Sequence, residues 1–331
     1  MTKRILILSH DNKIGDAIVA TGLLKPLRAH WPNCEVGILC GPSNVELYRH
    51  HPAVKWLHIT ASRNVFARIW SSVKARLKGY DSVVHFGLDV ANPSLKIVLS
   101  IINAKQRFLF LAPPGPSLPN EVVMNGDWQN LHYSARHQRF LETLGVSAGP
   151  YRYDICLGDA TSEFKKQPDE FLLVINSQSS TDNRSLPIWW LREFVATALK
   201  QHRNMHIQLL SASATHETEQ RHAFAHFDQR VSVTRCQPSI SQSLAVIKTA
   251  DLVLSPDTYA VHAAGAWNIP VIALYEPSST TMNLWGPVSD RYIQICAPAG
   301  KTVSAIGIQE VSDALTKLLE TPLLRERVQL T

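Results

Sequence analysis

The sequence predicts an α/β protein built from two doubly wound, parallel-sheet domains. Three observations lead there. Short, nearly unbroken runs of Val, Ile and Leu recur along the chain; helical periods fall between them; and the whole alternation occurs twice, on either side of a polar stretch at 158–170. Strands buried on both faces read as continuous apolar runs, and strands alternating with helices make parallel sheets covered on both sides.

The first strand is expected at 4–9 (RILILS). A helix is expected over 16–31, where Ala20, Leu23, Leu24 and Leu27 share one face. Further strands are expected at 35–40, 54–59, 82–86 and 107–110. The segment 63–79 reads as a helix with Phe66, Ile69, Trp70, Val73 and Leu77 on one face and Arg68, Lys74, Arg76 and Lys78 elsewhere. Such a helix either covers a sheet with its basic face in water, the commoner case, or touches an anionic membrane surface. The Pro-, Gly- and Asn-rich stretch 112–130 is read as an irregular insertion. The second half should hold strands at 171–176, 206–210, 230–233, 251–255 and 271–275 and a helix over 187–202 with Pro187 in its first position. It should close with helices at 308–320 and 322–329. The expected domains are 1–160 and 161–331, with the last helices able to pack back on the first. Two such domains would place a cleft at the carboxyl ends of both sheets, where these folds bind ligands.

At 331 residues, 45% hydrophobic and 18% charged, the chain can bury two proper cores. Its longest apolar runs are too short to span a bilayer, and the opening MTKRILILSHDN reads as a buried strand rather than a secretory signal. Five cysteines without a C-x-x-C pair argue for reduced thiols in the cytoplasm. A net charge of +6 and a pI near 9.1 favour acidic ligands. No helix-turn-helix, zinc-finger or RNA-binding signature points to nucleic acid. The first strand is not followed by G-x-G-x-x-G, and G-x-x-x-x-G-K-[ST] is missing, which disfavours a nicotinamide or flavin enzyme and excludes a P-loop enzyme. There is also no D-x-D to carry a metal-bound diphosphate. Helix termini and basic side chains would have to meet that charge instead.

Three constellations carry chemistry. In HDNKIGDAIVATGLL (10–24), Gly15 permits a tight turn and Asp16 stands at the end of the first strand. Asp16 is either a proton acceptor for a sugar hydroxyl or simply an acid favoured at a helix N-terminus, and local spacing alone favours the second. In NSQSSTDNRSLP (176–187), Ser179, Ser180, Thr181 and Arg184 precede a helix. They form either a phosphate clamp or a capping loop with a solvated arginine. In LVLSPDTYAVHAAGAWNIPVIALYEP (252–277), Asp257, Thr258 and His262 gather at the start of a helix made mostly of small residues. This corner suits a ligand anion, against the plainer pair of an Asp257 N-cap and a core His262.

These motifs occur in an order that resembles glycosyltransferase family 9, the heptosyltransferases of lipopolysaccharide core assembly. RILILSHDNKIGDAIVATGLLKPLRAHWPNCEVGILCGPSNVEL is similar to that family's opening, SPDTYAVHAAGAWNIPVIALYEPSS to its C-terminal signature, and WGP (285–287) follows where the family has it. The resemblance implies a GT-B fold, with two Rossmann-like domains facing a central cleft, the acceptor mainly on the first and the sugar nucleotide mainly on the second. It implies inverting, metal-independent transfer of heptose from ADP-heptose to Kdo-lipid A or a growing inner-core oligosaccharide. Asp16 would be the general base. Ser179, Ser180, Arg184, Asp257, Thr258 and His262 would contact the donor and its phosphates, and Glu217 or Glu219 the ribose. No metal or other cofactor is implied. Location would be cytoplasmic, with peripheral contact at the inner membrane. Two positions depart from the family: Tyr259 stands where Gly is usual after the Asp-Thr pair, and Glu276 where Gly precedes the proline. They leave open another GT-B enzyme using a UDP- or GDP-sugar, or a sugar-nucleotide-binding homologue without turnover.

Overall fold

In the computed structural model, residues 2–60, 64–87, 93–110, 117–124, 130–147, 149–162, 164, 166, 170–236 and 239–320 are described. The chain divides into two compact units, Met1–Gly158 and Asp159–Thr331.

The first unit holds β1 (Arg4–Ser9), α1 (Ile14–Thr21), α2 (Leu24–His30), β2 (Glu35–Cys40), α3 (Glu46–Arg49), β3 (Val54–Ile59) and α4 (Val65–Arg76). It continues with β4 (Ser82–His85), α5 (Pro93–Ile102), β5 (Gln106–Leu109), β6 (Glu121–Val123) and α6 (Tyr133–Thr143). Its six strands pair in parallel in the order β3-β2-β1-β4-β5-β6. Leu6, Leu39, Val83, Leu95, Leu99 and Leu109 form the core between this sheet and its helices.

The second unit holds β7 (Phe171–Asn176), a 3-10 turn (Asp182–Arg184), α7 (Ile188–Gln201), β8 (Met205–Leu210), α8 (Ala214–Phe224), β9 (Val231–Val233) and α9 (Ile240–Lys248). After these come β10 (Leu252–Pro256), α10 (Tyr259–Ala266), β11 (Val271–Tyr275), α11 (Ser279–Trp285), β12 (Tyr292–Cys296) and α12 (Ile308–Leu319). Its strands are also parallel, in the order β12-β11-β10-β7-β8-β9. Counted within each unit, both sheets have the Rossmann order 3-2-1-4-5-6, in which the direction of winding reverses beside the first strand. Trp190 is the largest fully buried side chain here, and its indole Nε1 donates to Ile306 O (2.9 Å), tying α7 to the segment before α12.

Several expectations are corrected. The helix over 16–31 is two helices that break at Gly22. In a continuous helix the ring of Pro26 would collide with the carbonyl of Gly22, four residues back. A Cβ at Gly22 would also lie 2.6 Å from Arg152 O, so the glycine lets the 151–152 strap pass close. Gly15 is helical, and the left-handed backbone before α1 belongs to Asn12 (φ 65°), whose side-chain oxygen accepts from Ser43 N. Pro187 is the N-cap of α7 rather than its first residue. The insertion 112–130 supplies the edge strand β6, and β12 closes the other sheet, neither of which the sequence reading placed. All five cysteines are free thiols. The helix expected at 322–329 lies outside the described residues.

The largest correction concerns α4. Its apolar stripe is not the face laid on the sheet. Ser71, Ser72 and Ala75 are buried, while Phe66, Trp70 and Leu77 are exposed.

Gly37, in the middle of β2, gives a stability test. A Cβ there would overlap the hydroxyl of buried Tyr80, which is bonded to His58 Nε2 (2.8 Å). Gly37→Ala is expected to destabilise the protein by about 1–3 kcal/mol, as overpacking does, measured by denaturant unfolding.

Candidate active site

Both winding reversals carry polar clusters. In the first unit the reversal lies between β1 and β4, whose residues Leu8 and His85 are in register. The loop after β1 is held by Asn44, whose Nδ2 donates to Ser9 O (2.9 Å) and whose Oδ1 accepts from Gly41 N (2.9 Å). Asp16 sits in the first turn of α1 and lines a pocket with Asp11, His10, His85, Tyr133 and His137. Lys13 is the cation beside it, with Nζ 3.8 Å from the carboxylate. Burial raises the Asp16 pKa well above the usual carboxylate range, and the neighbouring Asp11, which shares a hydrogen bond with it, adds to the effect; Lys13 offsets only part.

The histidines around Asp16 are neutral. Burial lowers His85 and His137 to about 3, and His10 is lowered for the same reason. His137 stacks on Phe86 (3.7 Å between centroids), and its Nδ1–H donates to Tyr133 O (2.7 Å), leaving Nε2 as the acceptor. The Nδ1 atoms of His10 and His85 are buried without a hydrogen-bond partner among the described residues. The sequence reading missed these histidines and Tyr133. His10 was visible at the end of the first strand; the others come from β4 and α6, brought in by the fold alone.

In the second unit the reversal lies between β7 and β10. Asn176, the last residue of β7, donates from Nδ2 to Thr258 Oγ1 (2.9 Å), Gln178 O (3.0 Å) and Ser255 Oγ (3.2 Å). This residue, which the sequence reading passed over, pins the loop after β7 to the start of α10. Thr258, not Asp257, is the N-cap of α10, accepting from Ala260 N (3.2 Å). Arg184 joins three strand ends. Its Nη2 donates to Ser180 Oγ (2.8 Å), its Nε to Thr181 Oγ1 (3.2 Å) and its Nη1 to Asp257 Oδ2 (3.4 Å). Glu276, just past β11, approaches the same guanidinium at 3.9 Å. Burial raises the Asp257 pKa, opposed by Arg184 and reinforced by Glu276.

The structure therefore brings Ser180, Arg184, Asp257 and Thr258 together. Ser179 is next to them in the loop, its N–H bonded to Ser185 Oγ (3.0 Å). His262 is buried in α10, edge-on to Trp285 (5.8 Å). Glu217 accepts from Arg221 Nε (2.7 Å) and Cys236 N (2.8 Å), bonds that hold its pKa low, whereas Glu219 is exposed on α8. The two departures from the family pattern are accommodated. Tyr259 bonds through its hydroxyl to Ser243 on α9, and burial pushes its pKa up to about 12. Glu276 has Arg184 as its counter-ion.

One group among the described residues has metal-ligand chemistry: His51, Asp154 and Cys156, with ligand atoms within 4.8 Å of one another. Ala53 N–H donates to His51 Nδ1 (3.2 Å), so Nε2 carries the ring proton and donates to Asp154 Oδ2 (3.2 Å). A metal-bound histidine donates from its second nitrogen rather than accepting there, so the cluster is a structural His–Asp pair.

The sequence profile of glycosyltransferase family 9 (heptosyltransferase) matches residues 120–308, more than half of the chain. The chain belongs to that family. It is a glycosyltransferase. No curated protein sequence matches it significantly. Solved structures share the fold along nearly the whole length. A glycosyl transferase family 9 protein from Veillonella parvula DSM 2008 has 17% identity, covers 96% of this chain and 97% of its own, and superposes with a TM-score of 0.76. The E. coli heptosyltransferase WaaC, solved with ADP, has 18% identity, 95% and 99% coverage and a TM-score of 0.77. The E. coli ADP-heptose lps heptosyltransferase II has 17% identity, 98% and 99% coverage and a TM-score of 0.71. The fold class is thus the one the sequence implied, α/β of the GT-B type. Among the described residues no helix is long and apolar enough to cross a membrane.

The raised Asp16 pKa has a thermodynamic signature. A carboxyl whose folded pKa exceeds its unfolded value opposes folding once the pH rises above the unfolded value. Asp16→Asn removes that penalty and keeps the side-chain shape. The variant should melt at a higher temperature than the wild type at about pH 8, and the difference should have largely closed at about pH 4, where the folded state holds the proton and the unfolded state is only about half ionised. Thermal unfolding at the two pH values checks this.

Proposed function

We propose that this glycosyltransferase moves a heptose from ADP-heptose to a lipopolysaccharide inner-core acceptor, by a single inverting displacement that uses no metal. One observation carries the reading: each Rossmann-like unit of a family 9 chain has a built cluster at its winding reversal, one centred on a carboxyl and the other on an arginine beside a helix N-terminus. The solved relative with bound ADP supports an adenine nucleotide as the donor's leaving group.

In this mechanism Asp16 accepts the proton of the acceptor hydroxyl. The new bond from that oxygen to the anomeric carbon forms as the bond to the diphosphate oxygen breaks, on the opposite face. The high pKa of Asp16 makes it a strong base once ionised, at the cost of being largely protonated around neutral pH. The buried nitrogens of His10 and His85 supply sites for acceptor hydroxyls. On the second unit the departing diphosphate is met by the positive N-terminal end of α10 and by Arg184, with Ser179 and Ser180 adding hydroxyl donors and His262 behind the helix start. Asp257 and Glu276 hold the guanidinium in place. Of the two candidate acids for ribose, Glu217 is preferred. It stands in the first turn of α8, at the carboxyl end of β8, and each of its oxygens keeps a second lone pair.

Asp16→Ala should abolish heptose transfer from ADP-heptose while leaving ADP affinity nearly unchanged, and wild-type transfer should persist in a strong chelator. Turnover of the variant at wild-type rate removes Asp16 from the base role, and a chelator loss that Mg²⁺ restores removes the metal-free scheme. The acid limb of kcat/KM should lie above the ordinary carboxylate range and move to lower pH in Asp11→Asn, because that change takes away a neighbouring negative charge.

Binding of nucleotide alone tests the other cluster. By calorimetry the protein should bind ADP more tightly than UDP or GDP. Arg184→Ala should weaken ADP about tenfold or more through loss of a charge-assisted contact. Glu276→Gln should tighten it about two- to fivefold, a modest gain because the removed charge is partly screened by solvent.

A further inference from the structure

Helix α4 is amphipathic in the opposite sense to a helix that covers a sheet. At about 100° per residue, Phe66, Ile69, Trp70, Val73 and Leu77 fall in one arc and Arg68, Ser71, Ser72 and Ala75 in the opposite one. The small, polar arc faces inward. Ser71 Oγ donates to Ile59 O (2.8 Å) and Ser72 Oγ to Arg68 O (2.7 Å), so the buried hydroxyls are satisfied and the helix lies close to β2 and β3. The apolar arc faces outward, with Phe66 83%, Trp70 62% and Leu77 79% exposed. Val65, one residue before Phe66, and Ile97 on the neighbouring α5 are exposed as well. Large apolar side chains exposed side by side mark an interaction surface.

The charge around the stripe decides what it meets. Lys74 flanks it on one side and Arg76 on the other, and the Lys74 ammonium lies 5.4 Å from the Trp70 ring. Residues 65–80 contain no acid, and neither does α5. A cationic rim around an aromatic and aliphatic stripe matches a layer with phosphates at its surface and hydrocarbon beneath. We propose that α4 docks on an anionic lipid surface, lying along it with Phe66, Trp70 and Leu77 at the headgroup–acyl boundary and Lys74 and Arg76 on lipid phosphates. A second copy of the chain bound through the same face would set cations against cations. A nucleic acid would leave the apolar stripe in water. The inference rests on α4 itself and not on the reading of the acceptor, so either can fail alone.

Sedimentation of the full chain with vesicles tests it. The protein should bind vesicles of phosphatidylglycerol mixed with phosphatidylcholine at least about tenfold more tightly than vesicles of phosphatidylcholine alone, and the difference should shrink in high salt. The double variant Phe66→Ser/Trp70→Ser should lose about tenfold or more in binding, and Lys74→Glu/Arg76→Glu should lose the preference for anionic lipid. Brominated lipid should quench the wild type more than Trp70→Phe, which reports that residue's depth even where the double variant proves unstable. No binding to the anionic vesicles, equal binding by Phe66→Ser/Trp70→Ser with an unchanged melting temperature, or a dimer in solution that this variant dissolves would each overturn the proposal.

Discussion

A parallel sheet whose winding reverses leaves one pair of adjacent strand ends uncovered. Successive crossovers leave to opposite faces, and the backbone groups at those carboxyl ends must find partners among side chains. The chain meets this constraint twice, and each time an asparagine does the work. Asn44 bonds the end of β1 and the turn at Gly41; Asn176 ends β7 and bonds the start of α10. Both carboxamides use donor or acceptor atoms to fix loops that carry the candidate chemistry. The rigidity needed for a preorganised site thus comes from the same bonds that satisfy the strand ends.

The two clusters use burial with opposite charge arithmetic. Around Asp16 the histidines have been driven neutral and one lysine stands against two carboxyls, so the carboxyl is held as a strong base. Around Arg184 a guanidinium is gripped by two hydroxyls and two carboxylates. An arginine fits this role because its planar fork can serve three loops at once, which a lysine ammonium on a flexible stem would do with less definition. The local balance of one cation against two acids is negative, so in the proposed mechanism the positive end of α10 has to meet more of the diphosphate charge than a sequence motif alone suggests.

The central strands were legible because burial on both faces leaves little but Val, Ile and Leu, and periodicity then needs no further context. The edges were not. β6 has three half-buried residues inside a Pro- and Gly-rich stretch, and β12 alternates too weakly to stand out. The break between α1 and α2 was written in Pro26 and Gly22, four residues apart, but the shared face of Ala20, Leu23, Leu24 and Leu27 masked it; all four are indeed buried. For α4 the period correctly grouped the residues and gave no information on which group turned inward. That depended on Ser71 and Ser72 finding acceptors, a fact of three-dimensional packing. Of the candidate site, the motif positions were readable at strand ends, whereas His85, Tyr133, His137 and Asn176 became visible only when distant strands were brought side by side.

Tyr259 and Glu276 show why a departure from a family pattern is a weak argument until its surroundings are known. A tyrosine at the start of α10 would crowd an anion only if its ring lay over the helix terminus. Its hydroxyl instead bonds Ser243 on α9, so the side chain has a partner on the neighbouring helix. A glutamate beside a diphosphate site would repel it if unpaired. Here it stands near a guanidinium already bound to Asp257, where its charge is partly cancelled and the remainder is screened by solvent. In both positions the cost that sequence logic assigns to the residue is carried by a partner the sequence places far away, 16 residues for Tyr259 and 92 for Glu276. The non-catalytic reading drew its support from these two residues, and with their side chains accommodated that support falls away.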